Sequence, residues 1–224
     1  LPLHDALPIC PYSNYVNSLY RENNNSSYIR IFHASPNSPA VDVYVNDTLV
    51  IRGLSYRGFS TYLKTIPGTY NVKVYPANKR DNAVIDTNIT VPERVIITYA
   101  AIGVLPSISL LPISEPVFTR DPRKAYVRFV HLSPNAPKVD IVVPGAGKIF
   151  TDVGYKEMTK YIAVNAGTYV FNVNVAGTDK TVLHVPNIRL LPNKIYTIYA
   201  VGLVGETPPL QVVIPLDGNS YIKV

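Results

Sequence analysis

One string of residues in the first half of the chain returns, in the same order, in the second half. Tyr28-Ile29-Arg30-Ile31-Phe32-His33-Ala34-Ser35-Pro36-Asn37-Ser38-Pro39-Ala40-Val41-Asp42 is echoed by Tyr126-Val127-Arg128-Phe129-Val130-His131-Leu132-Ser133-Pro134-Asn135-Ala136-Pro137-Lys138-Val139-Asp140. Leu54-Ser55-Tyr56 with Tyr62 is matched by Val153-Gly154-Tyr155 with Tyr161, and Gly68-Thr69-Tyr70 by Gly167-Thr168-Tyr169. Ile97-Thr98-Tyr99-Ala100-Ala101-Ile102-Gly103 is matched by Tyr196-Thr197-Ile198-Tyr199-Ala200-Val201-Gly202. Several anchors in one order at a nearly constant offset mean duplication, and a unit of about 90 residues is a common domain size.

The repeat divides the chain into a tail at 1–27, a first unit at 28–116, a proline-bearing charged linker at 117–125 and a second unit at 126–224. Within a unit, short apolar segments alternate with turn signals. Val41, Val43 and Val45 alternate with Asp42, Tyr44 and Asn46, the period of a half-buried strand, and Asn46-Asp47 then reads as a hairpin turn. Pro67-Gly68 precedes another alternating segment, Tyr70 to Tyr75, and Val84–Val91, Val95–Ile102 and Ile108–Ile113 follow, with Leu210–Leu216 closing the second unit. Twenty prolines leave little room for long helices. The pattern predicts an all-β chain of two tandem antiparallel β-sandwich domains.

A net charge of +6 would suit nucleic acid, but Arg30, Arg52, Arg57, Lys64, Lys73, Arg94, Lys124, Arg128, Lys156, Lys160 and Lys194 are spread along the whole chain. A nucleic-acid footprint gathers its charge on one face, so none is expected. Cys10 stands alone and cannot form an internal disulfide. No apolar run reaches the ~18 residues of a membrane-spanning helix. Leu1-Pro2-Leu3-His4-Asp5-Ala6-Leu7-Pro8-Ile9 resembles a translated sequencing-adapter scar, so residues 1–9 are set aside and the native N-terminus, with any export signal, is expected to be missing.

The doubled His-x-Ser-Pro-x-x-Pro-x-Val-Asp string, followed by a hairpin, a Gly-Thr-Tyr strand and a Tyr-Ala-x-x-Gly strand, resembles the DUF4397 family. The likeness covers nearly everything after the tail. It implies an immunoglobulin-like or transthyretin-like sandwich in a bacterial surface or secreted protein, and the Asn- and Tyr-rich stretch Tyr12 to Ser27 resembles that of clostridial members. It implies no activity, because none is established for the family.

His33, Ser35 and Asp42, with their echoes His131, Ser133 and Asp140, are the residues that most invite a catalytic reading. A hydrolase needs Ser, His and Asp converging beside an oxyanion hole, and no Gly-x-Ser-x-Gly elbow is present. The residues are better read as structure: Ser35-Pro36 and Ser133-Pro134 form a rigid turn, which His and Asp brace through a buried hydrogen bond. One His and one Asp per unit also fall short of a zinc site, so no metal and no cofactor are expected. Tyr70 and Tyr169, each following a Gly turn, are expected to pin a crossover as a tyrosine corner does. Seventeen tyrosines with no tryptophan suit carbohydrate stacking or protein contact, and Tyr44, Tyr56, Tyr62 and Tyr75 are the candidates for an exposed ligand-binding stripe. The tail from Tyr12 to Ser27 joins aromatics to an Asn/Ser tether, a composition that suits strand addition to the edge of a second copy.

These readings converge on a non-enzymatic structural or adhesive protein of the bacterial cell envelope, spore surface or secreted matrix, self-assembling through its tail. Two alternatives stay open. One is a carbohydrate- or peptide-binding module using surface tyrosines and loops; the other, remote, is a hydrolase using the His/Ser/Asp set.

Overall fold

A computed structural model describes residues 25–224, and the tail positions from Cys10 to Tyr20 lie outside the described residues. The first repeat forms β1 (Ser27–His33), β2 (Val41–Val45), β3 (Thr48–Leu54), β4 (Leu63–Thr65), β5 (Gly68–Pro76), β6 (Ile85–Val91), β7 (Ile96–Ile102) and β8 (Ser109–Ser114). The second forms β9 (Lys124–His131), β10 (Val139–Val143), β11 (Gly147–Val153), β12 (Ile162–Asn165), β13 (Gly167–Val175), β14 (Thr181–Leu190), β15 (Ile195–Val201) and β16 (Gln211–Val213). A single 3-10 turn, Gly218–Ser220, follows.

Each repeat is two four-stranded sheets face to face. The orders are β4-β1-β7-β8 and β3-β2-β5-β6 in the first repeat, and β12-β9-β15-β16 and β11-β10-β13-β14 in the second. The chain is thus all-β, a pair of β-sandwiches. Most pairings are antiparallel, but each repeat holds one parallel pair: β1 beside β7, with Tyr28 opposite Ile96, and β9 beside β15, with Tyr126 opposite Ile195. Periodicity could not reveal this, because it reports which face is buried and not which way a neighbour runs.

Local chemistry explains the hairpins. Asn46 and Asp47 both take positive φ, 47° and 62°, the conformation that a two-residue turn between twisted strands requires. β2 then places Val41 and Val43 in the core and turns Asp42 and Tyr44 outward. β5 does the same with Val72 and Val74 inside and Lys73 and Tyr75 outside.

The inner sheets behave differently. Every residue of β7 and β15 is buried. One face of β1 and β7, carrying Ile29, Ile31, Ile97, Tyr99 and Ala101, belongs to the core of the first sandwich. The other face, with Phe32, Ala100 and Ile102, packs against Val130, Leu132, Tyr199 and Val201 of the second repeat. The molecule therefore has four layers, with the two mixed sheets in the middle. Strands buried on both faces read as continuous apolar runs, as Ile96 to Ile102 does. Phe59 stacks on Phe32 at 4.0 Å between ring centroids, and Tyr199 leans on both, at 5.9 and 5.0 Å.

Candidate functional site

The repeated His-x-Ser-Pro string lies at the end of β1 and again at the end of β9. His33 Nε2 donates to the Pro39 carbonyl at 3.0 Å, and His131 Nε2 donates to the Pro137 carbonyl at 3.1 Å. Burial lowers both imidazole pKa values, so the rings sit neutral across the turn. Ser35 Oγ donates to the Gly103 carbonyl at 2.6 Å, and Ser133 Oγ to the Gly202 carbonyl at 2.7 Å. Both glycines take positive φ, 91° and 90°, and a Cβ on either would collide with backbone oxygen of Ser107 or Pro209. Pro36 and Pro134 follow the serines in the turn.

The aspartates have another job. Asp42 accepts from the Gly53 and Asn78 amides at 2.7 and 3.0 Å, and Asp140 accepts from the Asp152 and Gly177 amides at 2.8 and 3.1 Å. Each carboxylate thus ties the irregular pairing of β2–β3 or β10–β11 to the turn after β5 or β13. Lys148, at 2.7 Å, leads the groups that hold Asp140 below the usual carboxylate range. Of the pair expected to brace the turn, His does so in both repeats, while Asp bonds backbone amides elsewhere. His braces the turn at the end of the inner sheet, Asp braces the other sheet of the sandwich, and Ser, His and Asp do not converge. Tyr70 and Tyr169 each donate to the carbonyl four residues earlier, Ile66 at 2.7 Å and Asn165 at 2.8 Å.

The four candidate tyrosines do not form one stripe. Tyr44 and Tyr75 meet edge to face at 5.5 Å on the outer face of the first sandwich, with the Arg80 guanidinium 4.5 Å over Tyr44. Tyr56 packs on the inter-repeat cluster beside His33. Tyr62 turns into the seam between the repeats, where its hydroxyl donates to Glu115 at 2.7 Å. Strand alternation could not separate these fates, because Tyr56 and Tyr62 lie between strands.

That seam is the most elaborate polar structure in the molecule. Arg30 of β1 and Arg128 of β9 occupy equivalent places, each sending Nε to the threonine on the neighbouring parallel strand, Thr98 or Thr197, at 2.8 Å. Each Nη1 crosses to the other repeat: Arg30 to the Leu216 carbonyl at 3.2 Å, Arg128 to the Ser114 carbonyl at 2.7 Å. Arg30 Nη2 reaches two buried carboxylates, Glu115 at 3.4 Å in its own repeat and Asp217 at 3.3 Å in the other. Glu115 also accepts from Thr98 at 2.6 Å and from the Gly218 amide at 2.7 Å; Asp217 accepts from Thr197 at 2.5 Å and Tyr161 at 2.6 Å. Each guanidinium lies over a tyrosine ring, Arg30 over Tyr62 at 4.6 Å and Arg128 over Tyr161 at 4.5 Å.

The electrostatics follow from the burial. Desolvation works against the Arg30 charge, but Glu115 foremost, then the neighbouring tyrosines and Asp217, outweigh it and hold its pKa above the ordinary value. Asp217, fully enclosed, is pushed up to about 6 by burial and then by the nearby Glu115 charge. Burial also raises Tyr62, Tyr161 and Tyr199, so their hydroxyls stay protonated, and those of Tyr62 and Tyr161 donate to Glu115 and Asp217. A signal for these residues exists in the sequence: an arginine in the middle of an otherwise apolar strand, duplicated at the same place. Their carboxylate partners, 85 and 187 positions from Arg30, carry no local sign.

A tandem β-sandwich with its His, Ser and Asp side chains committed to backbone, and with no group of three His, Cys, Asp or Glu ligands among the described residues, is the class that this fold defines. The sequence model of the Domain of unknown function DUF4397 matches residues 27–142 and again 142–221, and the chain belongs to that family. No curated protein matches it. Among solved structures, the Bacillus anthracis TIE protein is similar at 12% identity and TM-score 0.26, over 84% of this chain and 34% of that one. The chain thus spans about a third of that protein's length. The CBM26 module CBMbc of Eubacterium rectale Amy13K, solved with maltoheptaose, is similar at 11% identity and TM-score 0.28, over 87% of this chain and 99% of that one.

Proposed function

We propose that the chain is a non-enzymatic structural or adhesive element of a bacterial cell envelope, spore surface or secreted matrix, in which the paired repeats act as one rigid block. The observation that carries this reading is the seam. Two sandwiches joined only by a linker would bend at the joint; here each inner sheet is a wall of both its own core and the inter-repeat contact, and Arg30 is bonded into both repeats. The engagement of His33, His131, Ser35 and Ser133 with backbone carbonyls supports the non-enzymatic part, since none is left poised as base or nucleophile. Assembly through the tail belongs to the same proposal, and light scattering on the full chain against one lacking residues 1–24 tests it. Immunogold labelling of intact cells, spores and shed matrix of the source organism tests the location. Label on the outer surface or in the matrix is the expected result, and label confined to the cytoplasm would sink the reading.

The second reading is a carbohydrate- or peptide-binding module, favoured by the Tyr44–Tyr75–Arg80 group on the outer face of the first sandwich. Flat rings beside a cation offer stacking and a charged hydrogen-bond donor together. Glycan- and peptide-array binding that disappears in Tyr44→Ala and Tyr75→Ala would establish it, and array binding unchanged in both variants would remove it.

A further inference from the structure

The two sandwiches carry equivalent grooves at one open edge, between the edge strands of their two sheets. In the first repeat the groove lies between β3 and β4, and Ile29, Val45, Val50, Leu63, Tyr70 and Ile89 line it. In the second it lies between β11 and β12, with Val143, Ile149, Tyr169 and Phe171 among its walls. Tyr70 and Tyr169 are the same residue of the same Gly-Thr-Tyr string, so the two grooves correspond.

They have diverged in size and rim. The second holds about 270 Å³. Phe171 and Leu190 line it where the first repeat has the smaller Val72 and Val91, and Lys124 Nζ donates to Asn165 Oδ1 at 2.7 Å on its rim. The first holds about 630 Å³. There Ile66 stands in the place of Asn165 and is 63% exposed, and Val50 is 39% exposed. A roomy apolar groove with large aliphatic side chains in water at its rim marks a contact surface.

The chain itself brings an apolar segment to that rim. The tail joins β1 at Ser27, and Ser27 pairs with Thr65, next to Ile66 on the groove. Residues 12–20 include Tyr12, Tyr15, Val16, Leu19 and Tyr20 and no charged residue, which suits an apolar seat. Residues 21–26 separate this segment from Ser27, and six residues can reach up to ~20 Å. Paired strands lie only about 5 Å apart, so the segment is within reach of its own groove. A tether this short holds the segment at an effective concentration on the order of millimolar, far above that of a second copy in dilute solution.

We infer that the groove between β3 and β4 is the docking surface for residues 12–20 of the same chain, whose aromatic and aliphatic side chains cover Val50 and Ile66. Assembly through the tail then proceeds by exchange, the segment of one copy seating in the groove of another, a low-cost route to dimers. The docking itself does not rest on the assembly reading, which adds only the exchange.

Cys10, the only cysteine of the chain, takes a nitroxide label without any substitution. In a dilute sample of the full chain, amide NMR should show the label broadening Val50, Leu63, Ile66 and Tyr70 while Ile149, Val164 and Tyr169 stay sharp. Leu19→Asp and Ile66→Asp each put a charge into the contact and should each abolish the broadening, whereas Leu19→Met should keep it. A nitroxide-labelled chain mixed, when dilute, with an isotope-labelled chain carrying Cys10→Ser should leave that second chain sharp. The inference is overturned by a groove that stays sharp, by broadening that survives Leu19→Asp, or by equal broadening of both grooves. Broadening of the Cys10→Ser chain in the dilute mixture overturns it too, because the occupant would then be a second copy's tail. Light scattering keeps the two ideas apart: assembly with a silent groove sinks the docking alone, and a marked groove without assembly sinks the assembly alone.

Discussion

Arg30 and Arg128 are the same residue of the same repeat, yet the molecule uses them differently. Arg30 is saturated: a threonine, a carbonyl, two carboxylates and a tyrosine face hold it. Arg128 keeps the threonine, the carbonyl and the tyrosine face but bonds directly to neither carboxylate; the Asp217 charge reaches it across the shared Thr197 hydroxyl. The cause is the packing of two similar sandwiches face to face across a near-symmetric seam. Glu115 turns to Tyr62 and the Gly218 amide, and Asp217 sets one oxygen on Arg30 and the other on Thr197 and Tyr161 beside Arg128, so both acids bond directly to the same arginine. Duplication supplied two equivalent sets of groups, and assembly broke the equivalence.

Removing each charge in turn should affect the molecule unequally. Arg30→Met strands Glu115 and Asp217 in the interior, and a loss of about 3–5 kcal/mol is expected. Arg128→Met forfeits two hydrogen bonds and leaves Asp217 still paired with Arg30, so a smaller loss, within about 2 kcal/mol of the parent, is expected. Denaturant unfolding of both variants measures the difference, and equal losses would mean that the two arginines are equivalent after all.

The serine braces should show a milder asymmetry. Ser35→Ala and Ser133→Ala each leave a glycine carbonyl without its donor, a cost of about 1–3 kcal/mol, and Ser35→Ala should cost slightly more because Ser35 also bonds the Ser38 hydroxyl at 2.7 Å where the second repeat has Ala136.

Protonation sharpens the seam further. An acid whose pKa rises on folding binds its proton more tightly folded than unfolded. Its most favourable contribution is present below the ordinary carboxylate range and is lost as pH rises through about 6 for Asp217. Relative to Asp217→Asn, the parent chain should therefore lose stability between about pH 4 and pH 7, read from denaturant midpoints across that window. The lowered pKa values of His33 and His131 act in the opposite sense as pH falls, but they are present in both proteins and cancel in the comparison. The smallest effect belongs to the tyrosine corners. Tyr70→Phe and Tyr169→Phe each lose one exposed hydrogen bond, about 1 kcal/mol apiece by thermal melts.

The repeat and its turn signals made the two sandwiches legible before any coordinates. Val41, Val43 and Val45 announced β2, Asn46-Asp47 its hairpin, and Gly68-Thr69-Tyr70 the start of β5. β4 and β12 were not legible, since three or four residues are too few to show a period. The packing of one repeat on the other was hidden for a different reason. Its sign, apolar residues on both faces of β7 and β15, is also what any fully buried strand shows. Arg30 and Arg128 looked like two members of a scattered basic set, because the groups that bury them come from distant parts of the chain. Tyr62 looked like a surface tyrosine for the same reason.

A seam that holds the two repeats as one rigid body is tested directly by residual dipolar couplings of backbone amides in a weakly aligned sample. A single alignment tensor fitting strands of both repeats is the predicted result, and two tensors of different orientation or magnitude would contradict it.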